Sequence, residues 1–98
     1  MAYVFEYDPR KARSNRYKHG GTFDDAHKVF DDPHAIVLPD DPHSVSEGRY
    51  FIIGYPGHNR LLTVCYTERG PNIIRLINAR KATAAERGLY EESNKGMA

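Results

Sequence analysis

A chain of 98 residues makes one domain with a modest core and no room for a second. With 40% hydrophobic and 28% charged residues and a formal net charge of +1, it reads as a globular protein rather than a disordered one. No apolar run approaches the roughly 18 residues of a membrane span, the charged N-terminal stretch has no secretory pattern, and one cysteine, Cys65, excludes an internal disulfide. A cytoplasmic protein with no membrane attachment is expected.

The small net charge conceals blocks of opposite sign. Arg10, Lys11, Arg13, Arg16 and Lys18 fall together without an acid. Seven acids from Asp24 to Glu47 stand against Lys28, and seven cations from Arg49 to Arg87 stand against Glu68 and Glu86. Such blocks give either a dipolar surface with one basic side or mutual neutralisation across the fold.

In chain order, Tyr3–Tyr7 is rich in aromatic and β-branched residues, as in a short first strand. Asp8-Pro9 reads as an N-cap followed by proline at the first helical position. The helix that follows has a weak apolar stripe, chiefly Ala12 and Tyr17, and ends at His19-Gly20-Gly21. Lys11, Asn15 and Lys18 share one of its faces. Thr22 with Asp25 starts a second helix with Phe23, Ala26 and Phe30 on one side, and Asp32-Pro33 stops it. Ala35–Leu38 is a short strand, and Pro39 to Gly48 an exposed acidic loop.

Three strands follow, Arg49–Tyr55, Leu61–Thr67 and Ile73–Arg80, joined by short turn-rich connections that imply an antiparallel meander. On the middle strand Leu62, Val64 and Tyr66 face one way and Leu61, Thr63 and Cys65 the other. The last strand crosses a basic corner at Arg80-Lys81. It enters a helix from Ala84 to about Glu92, opened by a capping box of Thr83 and Glu86, with Ala85 and Leu89 directed inward. Ser93–Ala98 is expected to fray. The order is β-α-α-β-β-β-β-α: an α+β single domain, residues 1–98, with an N-terminal helix pair and a C-terminal helix on one antiparallel sheet.

Several fixed pieces have now accumulated. They are Phe5-x-Tyr7-Asp8-x-x-Lys11-Ala12-x-x-Asn15-x-x-Lys18-His19-Gly20, then Phe23, Tyr66-Thr67-x-Arg69, Ile77-Asn78-Ala79-Arg80-Lys81-Ala82-Thr83, and Glu86. Over about residues 3–92 the pattern resembles the BrnT family of small bacterial toxins, partners of the BrnA antitoxins. The resemblance implies a RelE-like ribonuclease fold and a toxin that cuts RNA without a metal and halts translation. It also implies a ribbon-helix-helix antitoxin through which the complex binds operator DNA. Tyr7 stands where the family commonly has tryptophan, Gly21 where it has valine, and Asn78 where it has serine. Asn78 shares a strand face with Arg80, so its presence bears on activity. The alternative reading is a catalytically weak relative acting as a protein-binding and operon co-repressor module.

Metal-free RNA cleavage needs a base for the ribose 2′-OH, an acid for the leaving 5′-oxygen and cations for the phosphorane. Arg80 is the first candidate for the phosphate, because guanidinium grips two oxygens at once. Strand alternation puts Lys81 on the opposite face. Arg69, in the turn before the last strand, and Arg49 are further phosphate candidates, and each of these cations has a surface ion pair as its plainer use. His19 is the acid–base candidate, with helix capping as the competing role. Glu86 is a base or simply the cap. Tyr66 stacks on a base or packs in the core. Lys11, Asn15 and Lys18 are placed to line an RNA groove. His27, His34, His43 and His58 stand singly without zinc-site spacing, so no metal or other cofactor is expected.

Overall fold

The computed structural model describes residues 3–19, 22–43, 48–57 and 60–95, with the side chains at 15–19, 22–24 and 43 outside that description. One sheet holds β1 (Val4–Glu6), β2 (Ile36–Pro39), β3 (Arg49–Gly54), β4 (Leu62–Gly70) and β5 (Ile73–Lys81) in the order β1-β5-β4-β3-β2. Strands β3, β4 and β5 form the expected meander, and β2 adds antiparallel to β3. Strand β1 differs, because it pairs parallel to β5 and makes the sheet mixed at that edge. It joins no hairpin with β5; three helical segments and three strands intervene among the described residues, so nothing in the connection forces the antiparallel sense.

The helical layer lies on one face of the sheet. Helix α1 (Pro9–His19) starts as read, with Asp8 Oδ1 accepting the Arg10 amide at 2.9 Å and Pro9 in the first position. The second helix, Thr22–Asp31, is a 3₁₀ helix rather than an α-helix. Its three-residue turn aligns Ala26 with Val29, both fully buried, and Val29 joins the apolar face formed by Phe23, Ala26 and Phe30 in the sequence reading. These two meet Ile52, Val64 and Tyr66 from the sheet, with Ala12 and Phe30 packed against the same cluster. Asp40, placed by sequence in an exposed loop, is buried, its amide donating to the Arg49 carbonyl.

Helix α2 (Ala84–Ser93) covers part of the other face. Beneath it Ile53, Leu61 and Tyr90 make a second core. The middle-strand alternation is thereby met on both faces. The rotation of α2 differs from the expectation, because Ala85 is exposed and Leu89 is 48% exposed while Tyr90 is buried. Glu86 and Tyr90, one turn apart, are both held to the body by hydrogen bonds, which turns Ala85 and Leu89 toward solvent.

One carboxylate ties the layers together. Asp32, just past the 3₁₀ helix, accepts the His34 amide at 2.9 Å, and the Tyr55 amide and the Tyr90 hydroxyl at 2.8 Å each. Gly54 leaves it space, since a Cβ there would lie 3.0 Å from both Asp32 Oδ2 and Val29 Cγ1. Burial works to raise the Asp32 pKa, but the three donors outweigh it and hold the carboxyl below its ordinary value. Burial and the adjacent Asp32 push Tyr90 up to about 12.

Candidate functional site

The strand register lays three rows of side chains across the α2 face. Arg49 opposes Thr67, which opposes Arg75, and the row continues to Glu6. Phe51, Cys65 and Asn78 form the next row, and Ile53, Thr63 and Arg80 the third. Directly opposed residues project to one face, and Ile53 fixes which face by packing with Tyr90 of α2. Arg49, Arg75, Asn78 and Arg80 therefore share a surface whose floor is Thr63, Cys65 and Thr67, all buried. Burial, the largest influence, raises the Cys65 thiol pKa, so it is a packed side chain and not an activated nucleophile.

A bulge makes this grouping possible. Tyr66 pairs with Leu76 and Cys65 with Asn78, which leaves Ile77 as an extra residue on β5. Simple alternation would set Arg75 on the face opposite Asn78 and Arg80. With Ile77 inserted, all three project together, while Leu76 and Ala79 both enter the first core. Arg75 is the site-face residue that sequence periodicity missed. Its ion pair with Glu6, at 3.6 Å and substantially exposed on both sides, is weak.

Arg80 is held by a carboxylate with four donors. Its Nη1 and Nη2 donate to Glu86 Oε1 and Oε2 at 2.6 and 2.8 Å. Thr63 Oγ1 and the Thr83 amide donate to Glu86 Oε1 at 2.9 and 2.8 Å, and Glu86 N completes the capping box by donating to Thr83 Oγ1. The Arg80 hydrogen bonds, first, and those from Thr83 and Thr63 bring Glu86 down to about 2 against the opposing effect of burial. A carboxylate so stabilised is a poor base, so Glu86 is a clamp as well as a cap. The bond to Glu86 likewise raises Arg80, which is a fixed cation with a 31% exposed side chain.

The remaining candidates separate. Lys81 opposes Leu62 of the first core and so points away from Arg80, as alternation predicts. Lys11 is exposed on α1, which packs on β5 and the 3₁₀ helix, across the sheet from Arg80. The side chains of Asn15, Lys18 and His19 lie outside the described residues. Arg69 falls within β4, at its second register shift, rather than in a turn; it is exposed. Tyr66 is corrected outright. Only 5% exposed, it packs edge-on against Phe30 and beside Tyr50, and burial pushes it up to about 12, so its ring has no face for a base. Among the described residues no group of three or more His, Cys, Asp or Glu is placed to hold a metal ion. No helix among them is long and apolar enough to cross a membrane.

Comparison with family models matches residues 7–86 to the family described as ribonuclease toxin, BrnT, of type II toxin-antitoxin system. The chain belongs to the BrnT family. Among solved structures it is similar to the 1.1 Å crystal structure of the Brucella abortus ribonuclease toxin BrnT, with a TM-score of 0.63 and 22% identity. The match covers 85% of this chain and 99% of that one, and at this identity it establishes the BrnT fold alone. No curated protein matches the chain. Membership in a type II toxin family also implies an antitoxin partner.

Proposed function

We propose that this chain is a cytoplasmic, metal-independent endoribonuclease that arrests translation and is neutralised by a BrnA-like ribbon-helix-helix antitoxin, through which operator DNA is bound. The observation that supports it is the convergence of Arg49, Arg75, Asn78 and Arg80 on one sheet face of a BrnT-family chain. In the reaction, a base takes the proton of the ribose 2′-OH and the 2′-oxygen attacks phosphorus. The 5′-oxygen then leaves with a proton from an acid, which gives a 2′,3′-cyclic phosphate. Arg80, pre-oriented by Glu86, stabilises charge on the phosphorane without reorganising. Arg49 and Arg75 hold flanking phosphates, and the Asn78 amide donates to a non-bridging oxygen or a base edge. The exposed Arg69 is kept as an outlying phosphate contact. His19 is kept for the proton transfers as a residue type that both takes and gives a proton, although its helix α1 packs on the sheet face opposite Arg80.

The test is incubation of the purified protein with RNA in a chelator. Cyclic-phosphate fragments are expected, with Arg80→Ala and His19→Ala each at least tenfold slower. An Arg80 effect without a His19 effect moves the acid and base to another residue, and intact RNA at high protein excess sinks the ribonuclease reading. One observation favours a second reading, a co-repressor module without catalysis: Glu86 already occupies two of the Arg80 donors. Under that reading the protein binds antitoxin and operator while leaving RNA whole.

A further inference from the structure

Strand β2 ends the sheet, so one side of its backbone has no strand partner among the described residues. Beside it runs the last turn of α2. Together Ile36, Val37, Leu38, Leu89, Glu92 and Ser93 line a groove of about 500 Å³. Ile36 and Leu38 face α2 and its Leu89, which is 48% exposed, while Val37, at the same edge but on the other face of the sheet opposite Ile52, is 51% exposed. The fold exposes Leu89 because Glu86 and Tyr90 set the rotation of α2.

The charge at this groove is also unbalanced. The last turn of α2 carries Glu91 and Glu92 and no cation, at the end where the helix dipole is already negative. Both acids are exposed, and neither forms an ion pair among the described residues. The next cation along the chain, Lys95, lies beyond the helix. This placement is unfavourable in the isolated chain and would be relieved by a cation from outside. It repels RNA phosphate, and a two-fold contact between copies would set two acidic helix ends together.

We infer that this groove is where the antitoxin docks, through an apolar side chain seated against Leu38 and Leu89 on the α2 face, with Val37 covered on the other face of the added strand and with Lys or Arg meeting Glu91 and Glu92. The segment runs along the free edge of β2, whose main chain offers hydrogen bonds until Pro39, which has no N–H. This inference rests on the toxin–antitoxin reading for the identity of the partner. Helix α2 then has two ends with separate work, Glu86 on Arg80 at the start and the partner at the finish.

The test uses the whole chain co-expressed with the small protein encoded beside its gene, comparing wild type, Val37→Asp with Leu89→Asp, and Glu91→Lys with Glu92→Lys. Both double variants should bind at least tenfold more weakly. The lysine pair should at the same time keep or raise the melting temperature, because it complements the helix dipole, so misfolding does not explain its loss of binding. Hydrogen exchange on the wild-type complex should slow at residues 36–39 and 89–93. Unchanged affinity in both variants, or absent protection there, overturns the inference. So does a wild-type homodimer that the variants dissolve. RNA cleavage by the unpartnered proteins is read alongside. Cleavage retained with binding lost supports both proposals, whereas no cleavage with groove-dependent binding keeps the docking site and removes the ribonuclease.

Discussion

Glu86 shows how one side chain serves three neighbours at once. It closes the helix cap, orients Arg80 and satisfies Thr63, and its pKa of about 2 against an ordinary 4.5 measures the sum. Because the folded value is depressed, its stabilisation is fully present above pH 4.5 and is lost as pH falls toward about 2. Glu86→Gln should cost about 2 kcal/mol at pH 7 by urea unfolding, and much less at pH 2.5. An equal loss at both pH values would remove the charge from this account. Tyr66 gives a contrasting expectation. Tyr66→Phe should leave RNA cleavage within about twofold of wild type, while Tyr66→Ala should destabilise by about 3–5 kcal/mol, the cost of emptying an aromatic core position. A large cleavage defect in the stable Phe variant would return this residue to the site.

Among the elements, β5 and α2 decide the function-bearing surface. The extra residue at Ile77 sets which cations share a face, and the rotation of α2 sets which face of that helix remains outside. Asp32 holds α2, the end of β3 and the turn after the 3₁₀ helix to one another. Asp32→Ala strands the Tyr90 hydroxyl and the Tyr55 amide, so a loss of about 2–4 kcal/mol is expected in chemical denaturation. Loss of under 0.5 kcal/mol would show that water replaces the carboxylate without cost. Removing the cap with Thr83→Ala should cost about 1 kcal/mol.

At the scale of the molecule, opposite charge gathers at the two ends of one helix. Arg80 and its neighbours lie at the start of α2, and an acidic, apolar groove lies at its finish. If Arg49, Arg75 and Arg80 each meet a phosphate, binding of a 2′-O-methylated single-stranded RNA should weaken with salt at a log–log slope of about −2. Arg75→Ala should then flatten that slope by about 0.7. Fluorescence anisotropy across a salt series measures both, and an unaltered slope in the variant would take Arg75 out of the site.

Local chemistry made much of this legible. Proline, glycine and capping signals act over a few residues, so Asp8-Pro9, Thr83 with Glu86 and the meander from Arg49 to Lys81 were readable from the chain. Alternation likewise separated Arg80 from Lys81 and divided the middle strand between two cores. What the chain alone did not determine depends on long-range packing. The burial of Tyr66 comes from rings far away in sequence, the burial of Val29 comes from the sheet residues that the second helix packs on, and the exposure of Leu89 comes from hydrogen bonds to distant strands. Arg75 joins Asn78 and Arg80 only through a bulge, which depends on two strands matching their registers and leaves no periodic mark in either one.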